Sequence, residues 1–243
     1  MEEGRFILEA GCADLESAVR AARAGAHRIE LFASMAQGGI TPSAGVIRSL
    51  LQTVEIPFRV MIRPRGGDFV YSEDEFRAMC YDVELARQLG VGGIVVGCLA
   101  PDLSIDMEKC RELKRLAGSM ELTFHRAFDL SRNLRASLDV LIELGFHRVL
   151  TSGGSSTAWE GREMLQALCR QAGDNIIIMP GGGVRASHLK ALAQATGCKE
   201  FHMAPVIQRG TKPAGEVHPN AFYITTIIDE EEIAHAARIL KSL

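Results

Sequence analysis

Three things are missing from this chain, and each absence removes a class of protein. No apolar run reaches the roughly 18–20 residues that a membrane-crossing helix needs. Basic residues are not in excess: 27 Lys and Arg stand against 30 Asp and Glu, a formal charge of −3, so nucleic-acid binding has no compositional support. None of the six cysteines (Cys12, Cys80, Cys98, Cys110, Cys169, Cys198) belongs to a Cys-x-x-Cys pair. That spacing argues against a zinc ribbon, a thioredoxin-like site or a disulfide scaffold. Cys80, Cys110 and Cys169 fall within helical patterns, where a thiol usually serves as a small hydrophobe. The opening residues, Met1-Glu2-Glu3-Gly4-Arg5, lack the apolar core of a signal peptide, which implies a cytosolic protein.

What is present is the composition of a soluble globular protein, 47% apolar and 23% charged over 243 residues. Hydrophobic periodicity and punctuation by glycine divide the chain into strand-then-helix units. Strands are expected over Phe6 to Glu9, Arg28 to Phe32, Phe58 to Arg63, Gly93 to Gly97, Glu121 to Arg126, Arg148 to Thr151, Ile176 to Pro180 and Glu200 to Met203. The helices between them are expected over Asp14 to Ala24, Ser43 to Thr53, Glu73 to Leu89, Met107 to Ala117, Asn133 to Leu144, Trp159 to Gln171 and Arg185 to Ala195, with a closing helix from Glu230 to Leu243. Eight such units without a linker imply a single α/β domain over residues 1–243, a closed (β/α)8 TIM barrel of parallel strands rather than an open doubly wound sheet. Residues 205–228 are expected to form an irregular, proline-bearing arm, with Ala221 to Ile228 apolar enough to be an extra strand.

In this architecture functional groups gather at the C-terminal ends of the strands. Those ends carry Glu9, Glu30, Arg63, Cys98, His125, Ser152, Pro180 and His202. Strand alternation turns Ile29 and Leu31 toward the helices, so Glu30 faces the barrel interior, and the same phase turns Glu9, Arg63, His125 and His202 inward. Five ionisable side chains in one mouth are costly unless paired or functional. Glu9, Glu30 and Arg63, on neighbouring strands, are expected to lie together. They read either as a buried Glu–Arg–Glu network or as a base held by a guanidinium that also clamps an anion.

Glycine-rich loops add a second theme. Strand seven runs through Gly181, Gly182 and Gly183 into a helix, and strand six ends in Ser152, Gly153 and Gly154. Adjacent loops of this kind expose backbone N–H groups and are expected to form a phosphate cup. After strand three, Arg65 and Asp68 flank Gly66 and Gly67, and they are expected to pair with each other or to close over a ligand. No nucleotide cofactor is indicated.

Several stretches resemble one family. Glu30-Leu31, Gly38 to Ser43, Arg63 to Phe69, Thr123-Phe124-His125-Arg126-Ala127-Phe128-Asp129, Val149 to Gly153 and Gly181 to Gly183 are similar to the copper homeostasis protein CutC family, in order from residue 6 to about 203. The resemblance implies a cytosolic TIM barrel, usually a homo-oligomer, with copper as its ligand and Arg126 among the ligand-binding residues. Relatives often carry Cys after the Glu-Ala of strand one and after the Glu-Leu of strand two. Here those places hold Gly11, with Cys12 one residue on, and Phe32. A copper site would therefore draw on Cys12 and His202, with Met203 turned outward by alternation. The resemblance leads to a copper-binding protein. The residues themselves lead to an isomerase, epimerase or lyase acting on a small phosphorylated or otherwise anionic molecule, with Glu9, Glu30 and His125 moving protons. A non-catalytic binding barrel is the third reading.

Overall fold

The computed structural model describes residues 6–210 and 224–243. The expected units appear in order as β1 (Ile7–Cys12), α1 (Leu15–Arg23), β2 (Arg28–Leu31), α2 (Ala44–Thr53), β3 (Phe58–Met61), α3 (Glu73–Gln88), β4 (Gly93–Val96), α4 (Met107–Ala117), β5 (Glu121–Phe124), α5 (Leu134–Glu143), β6 (Arg148–Thr151), α6 (Arg162–Ala172), β7 (Ile177–Pro180), α7 (Ala186–Thr196) and β8 (Glu200–Met203). They are followed by β9 (Val206–Gly210), β10 (Ile224–Ile228) and α8 (Glu230–Lys241). All ladders among β1 to β8 are parallel, and β8 returns to pair with β1, so the sheet curls into a barrel. The remaining seam, β7 beside β8, is in contact but carries no hydrogen-bonded ladder.

Short polar caps set where the helices begin. Asp14, Ser43, Asp106 and Asn133 each accept from a backbone N–H in the first turn of the helix they precede, and Ser72 with Glu75 forms a reciprocal capping box at α3. Strands β2 and β4 stop one residue before their expected ends, and β3 and β5 stop two residues before theirs because their backbones turn to other partners. The Arg63 N–H donates to the Thr41 hydroxyl, and Arg126 opens a 3-10 turn over Arg126–Leu130. Helix α6 starts three residues late, since Gly161 is packed against the Ser152 carbonyl, where a Cβ would sit at 1.9 Å. The irregular arm is a correction: β9 and β10 form an antiparallel ladder from Val206↔Ile228 to Gly210↔Ile224. The β-branched run Ile224 to Ile228 thus found a partner strand. The rest of that arm, 211–223, lies outside the described residues, as do residues 1–5.

The core divides by strand alternation. Outward residues such as Leu8, Ile29, Val60, Ile94, Phe124, Val149, Ile178 and Phe201 form one continuous layer beneath the helices. The inward set is small and mixed. Phe32, Met61 and Val95 make a separate apolar cluster, while the rest is largely charged or glycine. At the N-terminal end of the barrel, Arg28, Arg59, Arg148, Glu121 and Glu200 form a chain of ion pairs, with Arg148 of β6 reaching Glu200 of β8 past β7.

Candidate active site at the C-terminal rim

A cavity of about 290 Å³ opens among the strand ends, lined by Glu30, Arg63, His125, Arg126, Gly182, Gly183 and His202 together with the apolar Phe32, Met35, Met61 and Phe69. Four of the five ionisable side chains expected to face inward, Glu30, Arg63, His125 and His202, therefore share one mouth, and Glu9 does not line it. The Gly182–Gly183 loop after β7 lines the same cavity as Arg63 and His125.

Arg63 is buried, at 4% exposure, and its partners are backbone carbonyls. Its Nη1 donates to the Gln37 and Gly39 oxygens (2.8 and 2.9 Å) and its Nη2 to that of Gly67 (2.7 Å). Two rim loops are stapled by this one side chain. Its Nε has no hydrogen-bond partner among the described residues, and it forms no ion pair there. The expected grouping of Glu9 and Glu30 with Arg63 is thus corrected. The guanidinium that holds Glu9 belongs to Arg28, at the start of β2.

Glu9 is fully committed. One oxygen takes the Arg28 Nε–H and the other lies 2.9 Å from His202 Nδ1. Burial works against its charge, but Arg28 and the hydrogen bond from His202 hold the carboxyl well below the usual range. A proton-moving role for Glu9 has no free atom to act through. Glu30 is different. Burial, reinforced by the charge of Glu9, pushes it up to about 7 against the pull of His202 and Arg28, and its Oε1 has no partner among the described residues. His202 Nε2 lies 3.6 Å from the other Glu30 oxygen. Burial opposes charging this imidazole, yet the two carboxylates outweigh it and raise its pKa.

His125 is neutral. Its Nδ1 accepts the Ala127 N–H (3.2 Å), which leaves the ring hydrogen on Nε2, again without a partner among the described residues. Burial, then the charge of Arg63, push its pKa down to about 3. Phe69, which sequence reasoning did not single out, braces both groups. Its ring centre is 4.8 Å from the His125 ring and 4.6 Å from the Arg63 guanidinium carbon.

The double-loop phosphate cup is half corrected. After β6 the donors are taken by the chain's own carboxylate: Asp129 accepts from the N–H groups of Ser152 (3.0 Å) and Gly154 (2.9 Å) and from the Thr151 hydroxyl. The Gly153 N–H turns to the Thr151 hydroxyl, 2.9 Å away. Asp129 also holds Arg126 through Nε at 2.8 Å, while Arg126 Nη2 donates to the Ser152 hydroxyl. Gly181 donates to the Thr151 carbonyl and leaves room for Leu150 rather than for a ligand. The open half is Gly182 and Gly183, both at positive φ (97° and 69°), whose N–H groups meet no acceptor among the described residues. Arg126 Nη1 lies over Gly182, 2.9 Å from where a Cβ would be.

Arg65 and Asp68 do not line the cavity. They form the surface pair expected of them, at 3.1 Å, with Glu75 as the closer partner of Arg65. Cys12 is also a correction. It faces the helices, within the outer core, and its thiol is pushed well above the ordinary range by burial, while Glu9, Glu30 and His202 face the other side of the sheet.

Comparison with known proteins bears on the family and the fold. The family model of the CutC family matches residues 6–207. A human protein named copper homeostasis protein cutC homolog is 44% identical over 210 residues, covering 86% of this chain and 76% of its own length. A CutC family protein of Mesorhizobium japonicum is 46% identical over 198 residues, 82% of this chain and 77% of that one. The crystal structure of the putative copper homeostasis protein CutC from Streptococcus agalactiae superposes with a TM-score of 0.78 at 37% identity, covering 81% of this chain and 97% of that chain. N-(5'-phosphoribosyl)anthranilate isomerase from Pyrococcus furiosus shares the fold (TM-score 0.60, 14% identity, 98% of this chain and 100% of that one). No helix among the described residues is long and apolar enough to cross a membrane. By sequence over most of its length, and by a matching barrel, this chain belongs to the CutC family.

Proposed function

We propose that the rim cavity takes up a small anionic metabolite, a phosphate ester or a carboxylate, and that the barrel acts on it as an isomerase, epimerase or lyase. The observation that carries this reading is Arg63, a buried cation on the cavity wall with no carboxylate at ion-pair distance among the described residues. A buried charge satisfied by carbonyl dipoles alone is costly, and an incoming anion supplies the missing counter-charge. The N–H groups of Gly182 and Gly183 and the Arg126 guanidinium add donors around the same space, and His125 lines it with an Nε2–H that is buried and unpartnered among the described residues. A neutral imidazole can hydrogen-bond a developing oxyanion without surrendering its proton. Glu30 contributes a carboxylate oxygen without a partner, so accepting a proton or holding a cation falls to it rather than to Glu9.

The names of the relatives point to copper. Copper(I) favours thiolate and thioether donors. Two thioethers, Met35 and Met61, line the cavity, but no cysteine does, and Cys12 and His202 face opposite sides of the sheet. A thiolate copper centre built on Cys12 does not fit these residues.

Titration calorimetry of chelator-treated protein with inorganic phosphate, a sugar phosphate and a small dicarboxylate tests the anion reading. Saturable binding is expected, weakened about tenfold or more in Arg63→Gln and in His125→Gln. Circular dichroism on both variants separates lost binding from lost fold. Indifference of the folded wild-type protein to every anion removes the reading.

A further inference from the structure

We propose that Glu30 and His202 hold one divalent transition-metal ion of the Zn²⁺ or Mn²⁺ kind, with Glu9 as the residue that aims the histidine. The inference goes beyond anion binding and shares only Glu30 with that reading, whose anion donors are Arg63, Arg126, His125 and the Gly182 and Gly183 amides. Glu9, Glu30 and His202 each offer a ligand atom within 4.8 Å of the others, and all three are buried. They are not equivalent. Both oxygens of Glu9 are engaged, by Arg28 and by His202 Nδ1, which makes Glu9 the carboxylate behind a histidine rather than a ligand. Accepting from Nδ1–H fixes the ring so that the Nε2 lone pair points away from Glu9, the arrangement that metal-binding histidines use.

Across from that lone pair stands Glu30. The gap from Nε2 to the nearer Glu30 oxygen is 3.6 Å, too long for a hydrogen bond. Two metal bonds of about 2.0–2.2 Å meeting at roughly 110–120° span about this distance. The second Glu30 oxygen has no partner although the residue is only 3% exposed, the mark of a group built for something absent from the protein's own atoms. Gly11, beside Glu30 in the β1–β2 ladder, keeps the space clear: a Cβ there would lie 2.9 Å from Nε2. Both ligands line the cavity, so the remaining coordination positions face space that water or the bound anion can enter. Imidazole and carboxylate are borderline and hard donors, a set that selects a divalent ion and discriminates against copper(I).

The test uses the full chain stripped with a chelator, then dialysed against ZnCl₂ or MnCl₂ and analysed for bound metal, with calorimetry for affinity. One ion per chain is expected. Glu30→Gln and His202→Asn should each weaken binding by about tenfold or more, Glu9→Gln by about 10–100-fold, and Cys12→Ser not at all. Circular dichroism on the same samples shows whether a variant has folded. Because Glu9→Gln alters no ligand atom, its loss of affinity in a folded protein reports orientation. Failure of the wild-type chain to retain either ion, retention undiminished in folded Glu30→Gln and His202→Asn, or loss in Cys12→Ser would each overturn the proposal. The anion reading is separated by Arg63→Gln, which should lose phosphate while keeping the metal. A protein that binds phosphate but no ion refutes this site alone.

Discussion

His125 illustrates how a single side chain writes itself into the pH dependence of the whole fold. Its pKa is about 3 in the folded barrel, against 6.5 for an unperturbed histidine. A depressed value of this kind contributes stability that is complete above pH 6.5 and is lost as pH falls toward 3, because the unfolded chain takes up a proton that the native site refuses. At pH 5 the loss is about 2 kcal/mol. Urea denaturation of the wild type and His125→Gln at pH 7.5 and pH 5 should therefore show the gap between them shifting by about that amount in favour of the variant at the lower pH. A gap that stays constant would mean that His125 is not held neutral. His125, Glu30 and His202 were legible because period-two alternation fixes which way a strand residue faces. Asp129 was not, although it closes the stretch from Thr123 that marks the family. It sits in a 3-10 turn and reaches the loop of the next strand, and no periodicity in the sequence encodes that reach.

At the scale of elements, the loop after β6 is an anion site that the chain fills for itself. Removing the Asp129 carboxylate strips the Ser152 and Gly154 amides, the Thr151 hydroxyl and Arg126 of their shared acceptor. Asp129→Gly should cost about 2–3 kcal/mol, since charge-assisted bonds are lost and buried donors are left without partners. Sulfate at millimolar concentration should recover part of the melting temperature in the variant and little in the wild type. Thermal melts with and without sulfate decide it, and equal sulfate responses would show that the loop does not retain its cupped shape. The glycine-rich character of both loops was visible in sequence. Which loop was already occupied depended on a residue two dozen positions upstream, and that is tertiary information.

At the scale of the molecule, the barrel needs something to hold β7 against β8, where the backbone ladder is missing. Part of the answer is the buried ion chain at the N-terminal end. Glu200 of β8 receives Arg28 from β2 and Arg148 from β6, so its carboxylate ties together strands on both sides of the open seam. The eight-unit pattern made the barrel itself readable. The same alternation that turned Glu30, His125 and His202 inward also turned Arg28, Glu121 and Glu200 inward two or four residues earlier. This ion chain was therefore latent in the sequence, but it lies at the strand starts, the end of a barrel where stability rather than chemistry is expected. Glu200→Gln keeps the volume but leaves two buried guanidinium groups short of a counter-charge, and breaking one member of such a cluster costs about 3–5 kcal/mol. Equilibrium urea unfolding should place the loss in that range, with the fold retained. A substitution of the exposed Glu230, paired at 3.6 Å with Arg20 on the surface, should cost less than about 1 kcal/mol. If the two substitutions cost the same, the seam is held by apolar packing alone and the ion chain is a passenger in the barrel.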